Sequence, residues 1–146
     1  KQPQIEAYRR GFTLANVLQL PYQPRQRLPE SLAACDLAAI GLIPGAEDTV
    51  APCKFYGILA SGRGVLLIAR RSCDLAQLVL REGCGLVVEP GEAAELAERL
   101  LILSREPDQV REMGERSLRL YQERFGLERS VARYEAVLQQ LLEPAG

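Results

Sequence analysis

Histidine is absent from this chain, which removes the Ser-His-Asp and Cys-His nucleophile arrangements together with the commonest general base. Its absence also excludes the common zinc sites that combine histidine with cysteine. Cys35, Cys53, Cys73 and Cys84 contain no CxxC pair. All four are expected to be reduced thiols, as in a cytoplasmic protein, with no bound metal. No apolar stretch approaches the roughly 20 residues that a membrane-spanning helix needs. The N-terminus also lacks the basic-then-apolar pattern of a signal peptide. Neither GxGxxG nor a P-loop occurs, which argues against dinucleotide binding and NTP hydrolysis. No charge excess is present either. The 18 Lys plus Arg against 19 Asp plus Glu leave nothing to attract nucleic acid.

What is present suits one globular domain: 146 residues, 47% hydrophobic and 25% charged, are enough for a real core. Ile5 to Phe12 reads as the end of a helix with a turn at Gly11, and Asn16 to Leu20 (NVLQL) as a short strand. Leu28 to Ala34 is helical, with Pro29 and Glu30 suited to its first turn, and Leu37 to Ile40 is a buried strand. Gly41 to Pro52 (GLIPGAEDTVAP) is a loop. The spacing then predicts a helix over Lys54 to Ser61 ended by Gly62, a strand over Val65 to Ala69, a helix over Leu75 to Arg81 and a strand over Gly85 to Val88. Apolar strands without a wet face, alternating with helices, predict an α/β fold, a parallel sheet covered by helices on both sides.

After Gly91 the pattern becomes helical throughout. Ala93, Leu96, Ala97, Leu100 and Leu101 form one stripe, with Glu92 and Glu95 near the helix start. Pro107 opens a second helix bearing Val110, Met113, Leu118, Tyr121 and Phe125, and Leu127, Val131, Tyr134, Leu138 and Leu141 mark a third. Tyr121 and Tyr134 are expected in the core. Tyr22, following a strand directly, could instead border a ligand.

In open α/β sheets a ligand sits beyond the carboxyl ends of the strands, where a helix amino end offers unpaired amides to phosphate. The loop ending Ala51-Pro52-Cys53-Lys54 fits that position. Its amides and the Lys54 ammonium can form a diphosphate cradle, or the stretch is an ordinary loop-to-helix junction with a solvated lysine. Glu47 and Asp48 are sequence neighbours that rarely face one centre, and they receive no catalytic role. Arg25, Arg27, Arg63, Arg70 and Arg71 read as surface arginines, and Gly62 and Gly85 as turns.

Three stretches together resemble the retaining glycosyltransferases of family 4, in which two Rossmann-like domains face each other across a cleft. They are NVLQLPYQPRQRLPESLAACDLAAIGLIPG, APCKFYGILASGRGVLLIA and GCGLVVEPGEAAELAERLLILSREPDQVREMGERSLRLYQERF. The nearest subgroup is the bacterial enzymes of colanic acid, O-antigen and capsule synthesis, where Pro-Ser-Lys precedes a Tyr-Gly-Ile-Leu-Ala-Ala-Gly-like helix. The likeness runs from about Ile5 to Tyr134.

The resemblance implies the Rossmann-like C-terminal half of the B-type glycosyltransferase fold. It places the base of a nucleotide diphosphate sugar near Leu20, Pro21 and Tyr22, and its diphosphate near Thr49, Val50, Ala51, Pro52, Cys53 and Lys54. No separate cofactor is implied. Where the broader family has two glutamates, the second holding ribose hydroxyls, this chain has Thr49 and Gly57. The subgroup shares the departure at Gly57. Residues 1–126 are expected to form the donor-binding domain, incomplete at its start. Residues 127–146 are expected to pack towards an N-terminal, acceptor-binding domain outside this sequence. That half would also provide any peripheral membrane association. The isolated chain is not expected to catalyse transfer, because both substrates must be held in one closed cleft. The alternative is a non-catalytic α/β interaction domain that has lost the donor site. A receiver-type signalling domain is disfavoured by three terminal helices and by the lack of an acidic cluster after a first strand.

Overall fold

Gly64–Ile68 (GVLLI) is buried almost throughout, as a strand covered on both faces must be, and it forms the middle of a three-stranded parallel sheet. The computed structural model describes residues 2–142, with side-chain burial from residue 3 onward. In chain order these form α1 (Gln2–Gly11), a 3-10 turn (Arg25–Arg27), α2 (Leu28–Ala33), β1 (Leu37–Gly41), α3 (Cys53–Ala60) and β2 (Gly64–Ile68). Then follow α4 (Asp74–Glu82), β3 (Gly85–Val88), α5 (Ala93–Leu103), α6 (Pro107–Leu120), a π-helical turn (Tyr121–Phe125) and α7 (Leu127–Leu142). The strands lie in sequence order, with Leu37 beside Gly64 and Val65 beside Gly85 at their starts. Parallel neighbours need crossovers, which α3 and α4 provide.

Alternation along the strands divides the core in two. Ala38, Ile40, Val65, Leu67 and Val87 face Phe55, Ile58 and Leu59 of α3 and Ala76 and Val79 of α4. Leu66, Leu86 and Val88 face the opposite way, against Leu96 and Leu103 of α5 and Val110 and Met113 of α6. Helix α6 begins on this second face, yet Leu120 at its end belongs to the first cluster. It therefore passes across the amino ends of the strands. Gly114 packs directly on Gly62 there, and the Ser117 hydroxyl donates to the Cys84 carbonyl at 3.2 Å.

The alternation of strand and helix expected from Leu28 to Val88 is present, with boundaries shifted by at most one residue. Four expectations are corrected. The NVLQL segment is not a strand: no strand of the sheet takes up its backbone groups, and Leu18 and Leu20 are 84% and 71% exposed. An apolar run becomes a strand only beside a partner edge, and Pro21 and Pro24 remove two donors next to it. Gly85 is not a turn but the first residue of β3, where a β-carbon would overlap the Val65 carbonyl.

The stripe of α5 is only partly internal, since Leu100 and Leu101 are exposed and Leu103 is the residue that is buried. Tyr134 is 74% exposed, as is the rest of the α7 stripe, because α7 touches little beyond the π-helical turn. Tyr121 does pack on the first cluster. Residues 143–146 of the expected tail lie outside the described residues. No described helix is long and apolar enough to cross a membrane.

Candidate functional site

The carboxyl ends of the strands carry three short connections, and the loop from Leu42 to Pro52 is the longest. Gly45 takes a left-handed φ of +86°, which brings Ala46 N to the Ile43 carbonyl at 3.0 Å. The Ala46 carbonyl then accepts from Thr49 N at 3.2 Å, Thr49 Oγ1 at 3.1 Å and Val50 N at 3.1 Å. The amides of Thr49 and Val50, expected at the diphosphate, are thus already engaged within the loop.

Two acidic residues that the sequence left without a role anchor this loop. The Glu47 carboxylate accepts from Gly45 N at 2.6 Å and from Arg70 Nε and Nη2 at 3.1 and 3.2 Å. Asp48 takes a further bond from Arg70 Nη2 at 3.0 Å. The Arg70 guanidinium holds the Glu47 carboxyl down at about 2, against the opposing effect of burial and with help from backbone amides. Arg71 is committed in the same way. Its amide donates to Glu89 at 3.0 Å and its Nη2 to Glu95 at 2.6 Å, where Arg99 adds a bond at 2.8 Å. Arg70 and Arg71 are therefore internal ties. Their only signal in the sequence was position, at the end of an apolar strand.

Helix α3 starts at this edge. Pro52 provides no side-chain cap, Phe55 N bonds the Pro52 carbonyl at 2.9 Å, and the amides of Cys53 and Lys54 have no acceptor among the described residues. A helix start of this kind carries partial positive charge and unpaired donors. Lys54 adds a full charge. Its Nζ donates to the Ala39 carbonyl of β1 at 3.3 Å, and it forms no ion pair among the described residues.

A groove of about 360 Å³ opens beside the loop, walled by Thr49, Val50, Ala51 and Pro52. Its floor is aromatic: Phe55, Tyr56 and Phe125 meet edge to face at centroid separations of 5.2 to 6.3 Å. Asp48 and Asp74 stand on its rim. That chemistry accepts a ring and repels a diphosphate. Lys54 and Cys53 do not line the groove.

The remaining candidates stand apart. Leu20 and Tyr22 are 71% and 90% exposed, and neither they nor Pro21 border the groove. At Gly57 a β-carbon would meet Leu32 Cδ1 at 3.3 Å, so the missing side chain makes room for α2. The structure thus puts Thr49 to Pro52 on the groove wall, Cys53 and Lys54 outside it at the amino end of α3, and Leu20 to Tyr22 at the surface. Among the described residues no group of acids and cysteines has the arrangement of a metal site. Comparison with protein-family models, with curated proteins and with solved structures finds no match to this chain.

Proposed function

We propose that this chain is the donor-binding part of a glycosyltransferase with two Rossmann-like domains, holding a nucleotide diphosphate sugar for transfer to a polysaccharide or lipid-linked acceptor. The observation that carries the reading is the amino end of α3 at the carboxyl edge of a parallel sheet, where the amides of Cys53 and Lys54 have no acceptor among the described residues and the Lys54 ammonium is held only by the Ala39 carbonyl midway along β1. When the bond from sugar to diphosphate breaks, negative charge grows on the leaving phosphate oxygens. Fixed amides and a cation aimed at those oxygens lower the barrier. Lys54 needs only to exchange one long bond to Ala39 for a phosphate oxygen. Arg70 and Arg71 keep the loop in place and are not phosphate ligands in this reading. Leu20 to Tyr22 remain the proposed neighbours of the base.

The test is titration of the full-length protein with a panel of nucleotide sugars and the matching nucleoside diphosphates. Saturable binding with Lys54 resonances among those that move supports the reading. Silence across the whole panel sinks it. It would then favour the non-catalytic interaction domain, a reading that the exposed apolar stripe of α7 also suits.

A further inference from the structure

A half-open cavity of about 790 Å³ lies at the opposite end of the sheet from the proposed donor site, between the starts of β1 and β2 and helices α5 and α6. Its apolar wall is Leu37, Leu100, Leu103, Val110 and Leu118. Arg63 also lines it, and Arg63 Nε is buried with no hydrogen-bond partner, alone in this among side-chain atoms of the described residues. A buried donor on a charged group is costly to leave unpaired, and native structures normally supply it with an acceptor.

Apart from Asp36, the charged and hydroxyl groups beside Arg63 on the rim are already engaged. Arg111 pairs with Asp108 at 2.8 Å and with Glu115 at 3.9 Å. The hydroxyls of Ser61 and Ser104 donate to carbonyls of their own helices at 2.8 and 2.7 Å. Arg63 forms no ion pair among the described residues, although Asp36 lies on the same rim.

We infer that this cavity binds a small organic carboxylate with an apolar body, its head on the Arg63 guanidinium and its body along the leucine wall. A guanidinium matches both oxygens of a carboxylate, and a half-open cavity of this size has room for a ligand well beyond a single ion. Asp36 opposes the head group, so its charge lowers the affinity of the site.

The inference is tested by following amide chemical shifts of the full chain during titration with octanoate, with acetate as head alone and octanol as body alone. Saturable shifts centred on Gly62, Arg63 and Ser104 are expected with octanoate. Acetate, octanol and octanoate on Arg63→Gln should each be weaker by roughly tenfold or more. Arg63→Lys, which keeps the charge and the packing stem but loses the fork, should fall between, and it serves if Arg63→Gln does not fold. Asp36→Asn should bind octanoate several-fold more tightly. The inference is overturned by absence of saturable binding, by equal binding of octanol and octanoate, by undiminished affinity in the Arg63 variants, or by weaker binding in Asp36→Asn.

Discussion

Arg70 grips Glu47 across 23 residues of chain, donating from Nε and Nη2 to the two carboxylate oxygens at 3.1 and 3.2 Å. This two-pronged bond fastens the loop after β1 to the end of β2, so the position of α3's amino end depends on it.

Acid should loosen that fastening. The Glu47 carboxyl sits at about 2 in the folded chain against an ordinary 4.5. A depressed folded value means that the stabilisation is fully present above about 4.5 and is lost as pH falls from there towards 2. Glu47→Gln should melt at a lower temperature at neutral pH and show a flatter pH profile across that window. Glu6 and Glu95 titrate low as well, so the difference between wild type and variant isolates Glu47. Parallel profiles would remove Glu47 from the account.

Lys54→Ala should weaken nucleotide diphosphate binding by the value of one charge-assisted hydrogen bond, about 1.5 to 3 kcal/mol, or roughly ten- to a hundredfold. Melting should barely change, because Lys54 is exposed and its single bond to Ala39 is long. The check is calorimetric titration beside thermal melting. Unchanged affinity would leave Lys54 as a solvated surface lysine.

Gly114→Ala sets two effects against each other. Helix propensity favours alanine by about 1 kcal/mol. A β-carbon at Gly114, however, overlaps the Gly62 carbonyl, which is backbone held in a left-handed turn at φ +64° and has little room to give. Overpacking of this kind costs about 1 to 3 kcal/mol, so the variant should be destabilised on balance. A rise in melting temperature would show that α6 can move away from the turn without loss.

The four thiols should react in order of access. Cys53 is exposed, Cys35 half-buried, and Cys73 and Cys84 are buried. Burial pushes the Cys84 thiol up to about 11, which keeps it protonated. Native-state alkylation followed by mass spectrometry should therefore label Cys53 first and Cys84 only on unfolding. Because the folded value lies above the ordinary 9.0, stability from Cys84 is present below pH 9 and declines between 9 and 11. Early labelling of Cys84 would contradict the packing of α4 and α6 around it.

The sequence by itself determined the elements whose causes are local. The unbroken apolar run from Val65 to Ala69 defined a strand covered on both faces, observed one residue earlier at Gly64–Ile68, and β3 at Gly85–Val88 was placed without error. Pro107 and the spacing behind it marked the start of α6, and the junction at Pro52 marked that of α3. Each of these rests on periodicity or backbone restriction within a few residues. Tertiary structure decided what depends on distant partners. NVLQL has strand-forming residues but no neighbouring edge, and Tyr134 lies on an amphipathic stripe with no described surface over it. The same holds for Arg70 and Glu47, ordinary surface charges in sequence that become a clamp, with Glu47 buried under a half-exposed Arg70, once β1 and β2 lie side by side. Periodicity specifies which face of a segment can be buried, and chain geometry specifies whether anything arrives to bury it.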